Sequence, residues 1–134
     1  MSAEPGVVDA SALAALLFDE PEAAATAAIL EDLILTAPTL LPYEIASVTL
    51  KKLHRRPQQA QAILLSADLF NHLAIDLVET PHAELASLAL RTDLSVYDAA
   101  YLWLATELVA PLITLDRDMA DRARRLGMRV LNPA

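Results

Sequence analysis

The sequence predicts an α/β domain built around a short, mainly parallel sheet, and three observations carry that reading. Short runs of β-branched and aliphatic residues alternate with longer runs of helical periodicity, as βαβ units require. The chain has 134 residues, which suits one compact domain over 1–134 with little room for a second. Hydrophobic residues make up 55% of it, with Ala and Leu foremost, so the chain can build a core.

The elements follow in order. Gly6-Val7-Val8-Asp9 reads as a short buried strand, and a helix follows over about 11–17. Asp19-Glu20-Pro21 breaks it, and Pro21 is suited to be the first residue of the next helix, running to about 33. Residues 36–41 form a second strand. Pro42 opens a helix in which Ala46, Thr49, Leu50 and Leu53 share one face. A basic cluster ends that helix before Pro57, which opens another to about 71. Residues 72–78 alternate as a third strand. Helices are predicted over 81–90 and 96–109, a strand over 112–115, and a helix over 117–126 closed by Gly127 in a left-handed cap. Residues 129–131 make a last, short strand.

Composition excludes several functions. Two glycines cannot supply a Gly-rich phosphate loop or a dinucleotide fingerprint. With no cysteine there is no disulfide, thiolate metal site or thiol nucleophile. Met1-Ser2-Ala3-Glu4-Pro5 lacks the basic region and apolar run of a signal peptide, and no apolar stretch is long enough to span a bilayer. A soluble, cytoplasmic protein is expected. The net charge of -8 weighs against a nucleic-acid partner. Its distribution softens that objection. Lys51, Lys52, His54, Arg55 and Arg56 form one basic group; Arg117, Arg122, Arg124, Arg125 and Arg129 form another. For the charges alone, solvated helix faces are the simpler reading.

Four carboxylates stand apart, because each follows or sits inside an apolar run: Asp9, Glu44, Asp98 and Asp116. Each has a plain structural explanation. Asp9 and Asp116 suit helix N-caps, and Glu44 lies in a first turn where the helix dipole favours negative charge. Ser95-Val96-Tyr97-Asp98 has capping-box spacing. Together they are harder to explain so. Asp98 begins a segment apolar nearly all round, predicting a buried carboxylate, and Asp9 leaves a central strand; such groups need partners or a cation. Oxygen-only ligands of this kind suit Mg²⁺ or Mn²⁺ rather than zinc.

Val7-Val8-Asp9-Ala10-Ser11, Pro42-Tyr43-Glu44-Ile45-Ala46, Leu94-Ser95-Val96-Tyr97-Asp98-Ala99-Ala100-Tyr101 and Leu112-Ile113-Thr114-Leu115-Asp116-Arg117-Asp118 together resemble the four motifs of the PIN domain family, and within it the VapC-type toxins of toxin–antitoxin pairs. The third motif is the most specific, and the match runs from Val7 to Leu131. The resemblance implies an α/β/α sandwich with four to five strands. It implies an endoribonuclease that hydrolyses RNA phosphodiesters to leave a 5′-phosphate. Asp9, Glu44, Asp98 and Asp116 would bind one or two Mg²⁺ or Mn²⁺ ions, with Asp118 a secondary ligand and Ser11 and Thr114 supporting hydroxyls. Lys51, Lys52, Arg55, Arg56 and Arg117 are candidate phosphate contacts. A cognate antitoxin and a homodimer are implied partners, with the apolar stretches 23–35 and 63–70 as candidate contact surfaces.

Other readings fit less well. A phosphorelay receiver wants paired acids after its first strand and a Lys after its last; here Asp9 stands alone and no Lys follows Lys52. A PIN-like module that binds RNA or protein without cutting would not need all four carboxylates. His54, His72 and His82 fall outside the motifs and read as surface or packing residues. Tyr97, Tyr101 and Trp103 follow helical spacing and are predicted to be core.

Overall fold

The run predicted as a buried strand lies at the middle of a sheet in a computed structural model that describes residues 3–134. Strands β1 (Glu4–Val8), β2 (Leu33–Pro38), β3 (Ile75–Val78), β4 (Leu112–Ile113) and β5 (Val130–Leu131) make up the sheet of the described residues. All pairings are parallel and the order is β3-β2-β1-β4-β5. Val7, Val8, Leu112 and Ile113 are wholly buried, as a central parallel sheet covered on both faces demands.

The helices are α1 (Ala10–Leu17), α2 (Ala23–Leu30), α3 (Leu41–Arg55), α4 (Ala60–Asp68), α5 (His82–Thr92), α6 (Val96–Leu108) and α7 (Arg117–Arg125). The chain steps outward from β1 to β3, then returns across the sheet to β4. Right-handed crossovers therefore put α1 to α4 on one face and α5 to α7 on the other. Packing agrees: α1 lies against α2 and α3, while α5 lies against α6, and α6 lies on β1, β2 and β4. The result is the expected α/β/α sandwich. Leu13, Leu41, Tyr101, Leu102, Leu104 and Met119 are almost fully buried, each worth roughly 1.5–3 kcal/mol of apolar burial. No helix of the described residues is long and apolar enough to cross a membrane.

Several boundaries differ from the sequence reading. Pro21 sits in a turn two residues ahead of α2, and α2 ends at Leu30 rather than near 33. Leu33, Ile34 and Leu35 pair in register with Glu4, Pro5 and Gly6, so pairing with β1 overrides local helix propensity and β2 starts three residues early. The helix expected over 57–71 is split into a 3₁₀ turn, α4 and a second 3₁₀ turn. On α3 the buried positions are Leu41, Ile45 and Thr49, while Ala46 and Leu50 face out toward α4 across an open groove.

Two backbone positions are constrained. A Cβ on Gly6 would lie 2.7 Å from Leu33 Cδ1, 3.3 Å from Leu33 Cβ and 3.1 Å from Ile113 Cδ1, so any side chain here would force Leu33 and Ile113 to repack. Gly6→Val is expected to cost about 1–3 kcal/mol of unfolding free energy by overpacking, read from urea unfolding midpoints; an unchanged midpoint contradicts this. Val109, the 91% exposed C-cap of α6, is a β-branched residue at φ 49°. Val109→Gly is expected to raise stability by about 1 kcal/mol, the relief of left-handed strain outweighing glycine's greater freedom in the unfolded chain. Calorimetry showing a lower melting temperature would count against that.

Candidate functional site

Parallel strands end on the same edge, and three of the four singled-out carboxylates follow strand ends there. Asp9 follows β1, Asp116 follows β4 after a short loop, and Glu44 lies in the first turn of α3 just beyond β2. Asp98 comes from the first turn of α6, which packs on β1, β2 and β4. The strand order reverses between β1 and β4, so Asp9 and Asp116 flank the crevice where open α/β sheets place ligands.

Asp9 is only 4% exposed. Its Oδ1 accepts from the Ser11 hydroxyl at 2.7 Å and from the Ala12 amide at 3.0 Å, and its Oδ2 accepts from the Thr114 hydroxyl at 2.5 Å. Each hydroxyl is itself oriented by a backbone amide. Leu115 donates to Ser11 Oγ at 2.9 Å and Asp116 donates to Thr114 Oγ1 at 3.0 Å. Burial raises the Asp9 pKa from 3.8 to about 6 against the lowering effect of these donors, and the Asp116 charge adds to the rise.

Glu44 Oε1 accepts from the Tyr101 hydroxyl at 2.6 Å. Burial raises its pKa, Tyr101 opposes the rise, and the Asp98 charge adds to it. Burial also raises the pKa of Asp98, with Asp116 and then Asp118 adding and the Ser95 hydroxyl opposing. Tyr101 is 1% exposed; burial and then Glu44 hold its phenol far above the usual value, so it acts as a donor. Asp116 Oδ1 caps α7 through the Met119 amide at 3.0 Å. Asp118 faces outward in a two-point contact with Arg122 Nε at 3.1 and 3.2 Å.

The capping readings are realised: Asp9 and Asp116 cap α1 and α7, and Ser95 caps α6 by accepting from the Asp98 amide at 3.1 Å. The expectation that Asp98 is buried needs correction, because it is half-buried at the mouth of the crevice. Among the described residues no three acidic, His or Cys side chains already form a closed metal-ligand group. What fits a hard divalent cation is the donor chemistry. Four carboxylates from separate segments meet at one edge, three with raised pKa, and opposing positive charge would relieve their mutual repulsion.

The basic candidates are not gathered in the same way. Lys52 pairs with Glu20 at 2.5 Å and lies 4.8 Å over the Phe18 ring, so it serves packing. Arg55 and Arg56 end α3, roughly 17 Å along the helix from Glu44 by axial rise, whereas exposed Lys51 is only two turns away. Exposed Arg117 adjoins Asp116, but Arg122, Arg124 and Arg129 are paired with Asp118, Asp121 and Glu4. His54, His72 and His82 are exposed. Sequence reasoning placed Tyr97 in the core, yet it is 61% exposed beside the site; Tyr101 is core, but its link to Glu44 was not foreseen. Tyr43, 79% exposed next to Glu44, was also missed. Its position between Pro42 and Glu44 at a helix start was the available signal.

Comparison with known proteins agrees with this architecture. The family model described as PIN domain matches residues 6–125. Ribonuclease VapC3 from Pyrobaculum aerophilum is 34% identical over 121 residues, covering 87% of this chain and 92% of the relative. The crystal structure of PAE2754 from the same organism aligns with a TM-score of 0.66 over 97% of this chain and 90% of that one, at 21% identity, a likeness of fold.

A pH dependence follows from Asp9. Its folded pKa, about 6, lies above the 3.8 of an unperturbed Asp, so its contribution is full below about 3.8 and lost as pH rises through about 6. In metal-free buffer the loss is on the order of 3 kcal/mol. Asp9→Asn is expected to remove it, seen as a parent-minus-variant difference in unfolding free energy that changes between about pH 4 and 7. A difference flat across that window would exclude Asp9 as its source.

Proposed function

Because the chain belongs to the PIN domain family, we propose that it is a metal-dependent endoribonuclease and the toxin of a VapC-type toxin–antitoxin pair. The observation that carries this is the convergence of Asp9, Glu44, Asp98 and Asp116 at one sheet edge, in a chain similar over most of its length to Ribonuclease VapC3.

In this reading Asp9, Glu44, Asp98 and Asp116 hold one or two Mg²⁺ or Mn²⁺ ions. When bound, such an ion supplies polarisation of a phosphoryl oxygen and easier ionisation of water. The protein's part is positioning. Ser11, Thr114 and the Ala12 amide lock the Asp9 carboxylate, which prevents it from rotating out of the crevice. Tyr101 fixes one Glu44 oxygen and leaves the other free of protein donors. Asp98 sits at the mouth, where an RNA phosphodiester enters. Asp118 would join only after leaving Arg122. The Ser11 and Thr114 hydroxyls are both committed to Asp9, so in this reading water attacks phosphorus. The bond to the 3′-oxygen breaks, that oxygen leaves with a proton, and the product carries the 5′-phosphate that the family resemblance implies. Lys51 and Arg117 are the basic residues near enough to meet phosphates. The toxin role brings with it a cognate antitoxin, a cytoplasmic setting and a homodimer, for which α2 and α4 offer exposed apolar surface.

The test is incubation of the purified protein with total bacterial RNA, in Mg²⁺, Mn²⁺ or EDTA, beside Asp98→Asn. Discrete fragments that require metal are expected, with at least about a 100-fold loss in the variant, since residues that only support a metal ligand already cost up to about that much. A folded, antitoxin-free protein that cuts nothing, or an Asp98→Asn variant as active as the parent, would defeat the proposal.

A further inference from the structure

Beside the carboxylates lies an open cavity of about 430 Å³, in the size range of small-ligand sites. Tyr43 and Tyr97 flank it, 79% and 61% exposed, and Val48 contributes apolar surface. Glu44, Ser47 and Lys51 line it from successive turns of α3. Lys51 makes no ion pair among the described residues.

The two exposed rings are not scattered but line one cavity, and a contiguous patch of that kind marks a binding surface. Each stands one residue before a carboxylate, in the first turn of its own helix: Tyr43 before Glu44, and Tyr97 before Asp98. The geometry points to a base-stacking subsite for unpaired nucleotides of single-stranded RNA, with Tyr43 and Tyr97 as the platforms and Lys51 on the adjoining phosphate. This rests on the ribonuclease reading above and adds the residues that would position its RNA. An aromatic face accepts any base but needs the base unstacked, so a duplex, whose faces are covered, is excluded. The charge pattern favours nucleic acid over an apolar peptide: the rings are bounded on one side by carboxylates suited to hold a cation, and on the other by the ammonium of Lys51, which makes no ion pair among the described residues. Placed there, the base carries its own phosphodiester to Asp98 and Glu44.

The test measures binding apart from cutting. In the Asp98→Asn background, fluorescence anisotropy follows a labelled mixed-sequence RNA of about twelve nucleotides, alone and annealed to its complement, with Mg²⁺ present. Single-stranded RNA should bind more tightly than duplex. Tyr43→Ala and Tyr97→Ala should each weaken it roughly 5- to 150-fold, the range of one lost stack. Tyr43→Phe and Tyr97→Phe should bind as the parent, since the ring is kept, and both positions are exposed enough to leave thermal unfolding unchanged. Alanine variants that bind single strands like the parent overturn the subsite and leave the rings to a protein partner. Equal losses on alanine and phenylalanine overturn stacking in favour of the hydroxyl. Ring-dependent binding in a protein that never cuts RNA keeps the subsite and sinks only the nuclease reading; no binding to either RNA overturns the subsite, while cutting by the parent protein decides the nuclease reading separately.

Discussion

The site depends on one buried carboxylate. Asp9 ends the central strand where water is excluded, and an ion there is tolerable only because three donors meet it. Two of these donors are hydroxyls, and each hydroxyl has its remaining hydrogen-bonding capacity directed by an amide of the loop after β4. The chain Leu115 amide to Ser11 to Asp9, and its twin Asp116 amide to Thr114 to Asp9, tie the β1 end to the β4 loop. That loop then delivers Asp116 to the crevice. Such a network is worth having only when fully satisfied. The one buried side-chain atom without a partner among the described residues is Thr26 Oγ1 on α2, away from the site.

The same economy runs through the other acids. A carboxylate at a helix start has a local reason to be there, because amides and the helix dipole favour it. The fold uses that favourable placement at Asp9, Glu44, Asp98 and Asp116, and then aims the four helix starts at one another. Local stability holds each side chain in position, while their mutual repulsion and burial keep the pocket poised to accept positive charge. A structural role and the proposed chemical role are therefore not competitors for these residues. The first is how the second is kept rigid.

This duality explains what was legible in the sequence. Alternating element types, the wholly apolar β1 and the strand-end acids lay open to local reading, so the sandwich and its family came through. Gly127 was visible as a cap because only glycine is comfortable at φ 78°. Asp93 and Val109, which close α5 and α6 at φ 58° and 49°, carried no such mark. The start of β2 was hidden for another reason: Leu33 to Leu35 are extended because β1 lies beside them, a fact absent from their own neighbourhood. Tyr97 and Tyr101 share a helix and differ by a little over one turn. Nothing in their spacing says that one ring meets solvent and the other meets Glu44, since that depends on where α3 lies.

The hydrogen bond between Thr114 and Asp9 joins positions 105 residues apart. Contacts of that span are the slow ones, made after local helices have formed. A polypeptide leaving the ribosome presents Asp9 and Glu44 long before β4 exists to complete the crevice. Every unfinished chain therefore carries the acids without their frame. The crevice cannot close until β4 and its loop are present, so its geometry belongs to the whole domain and to no fragment of it.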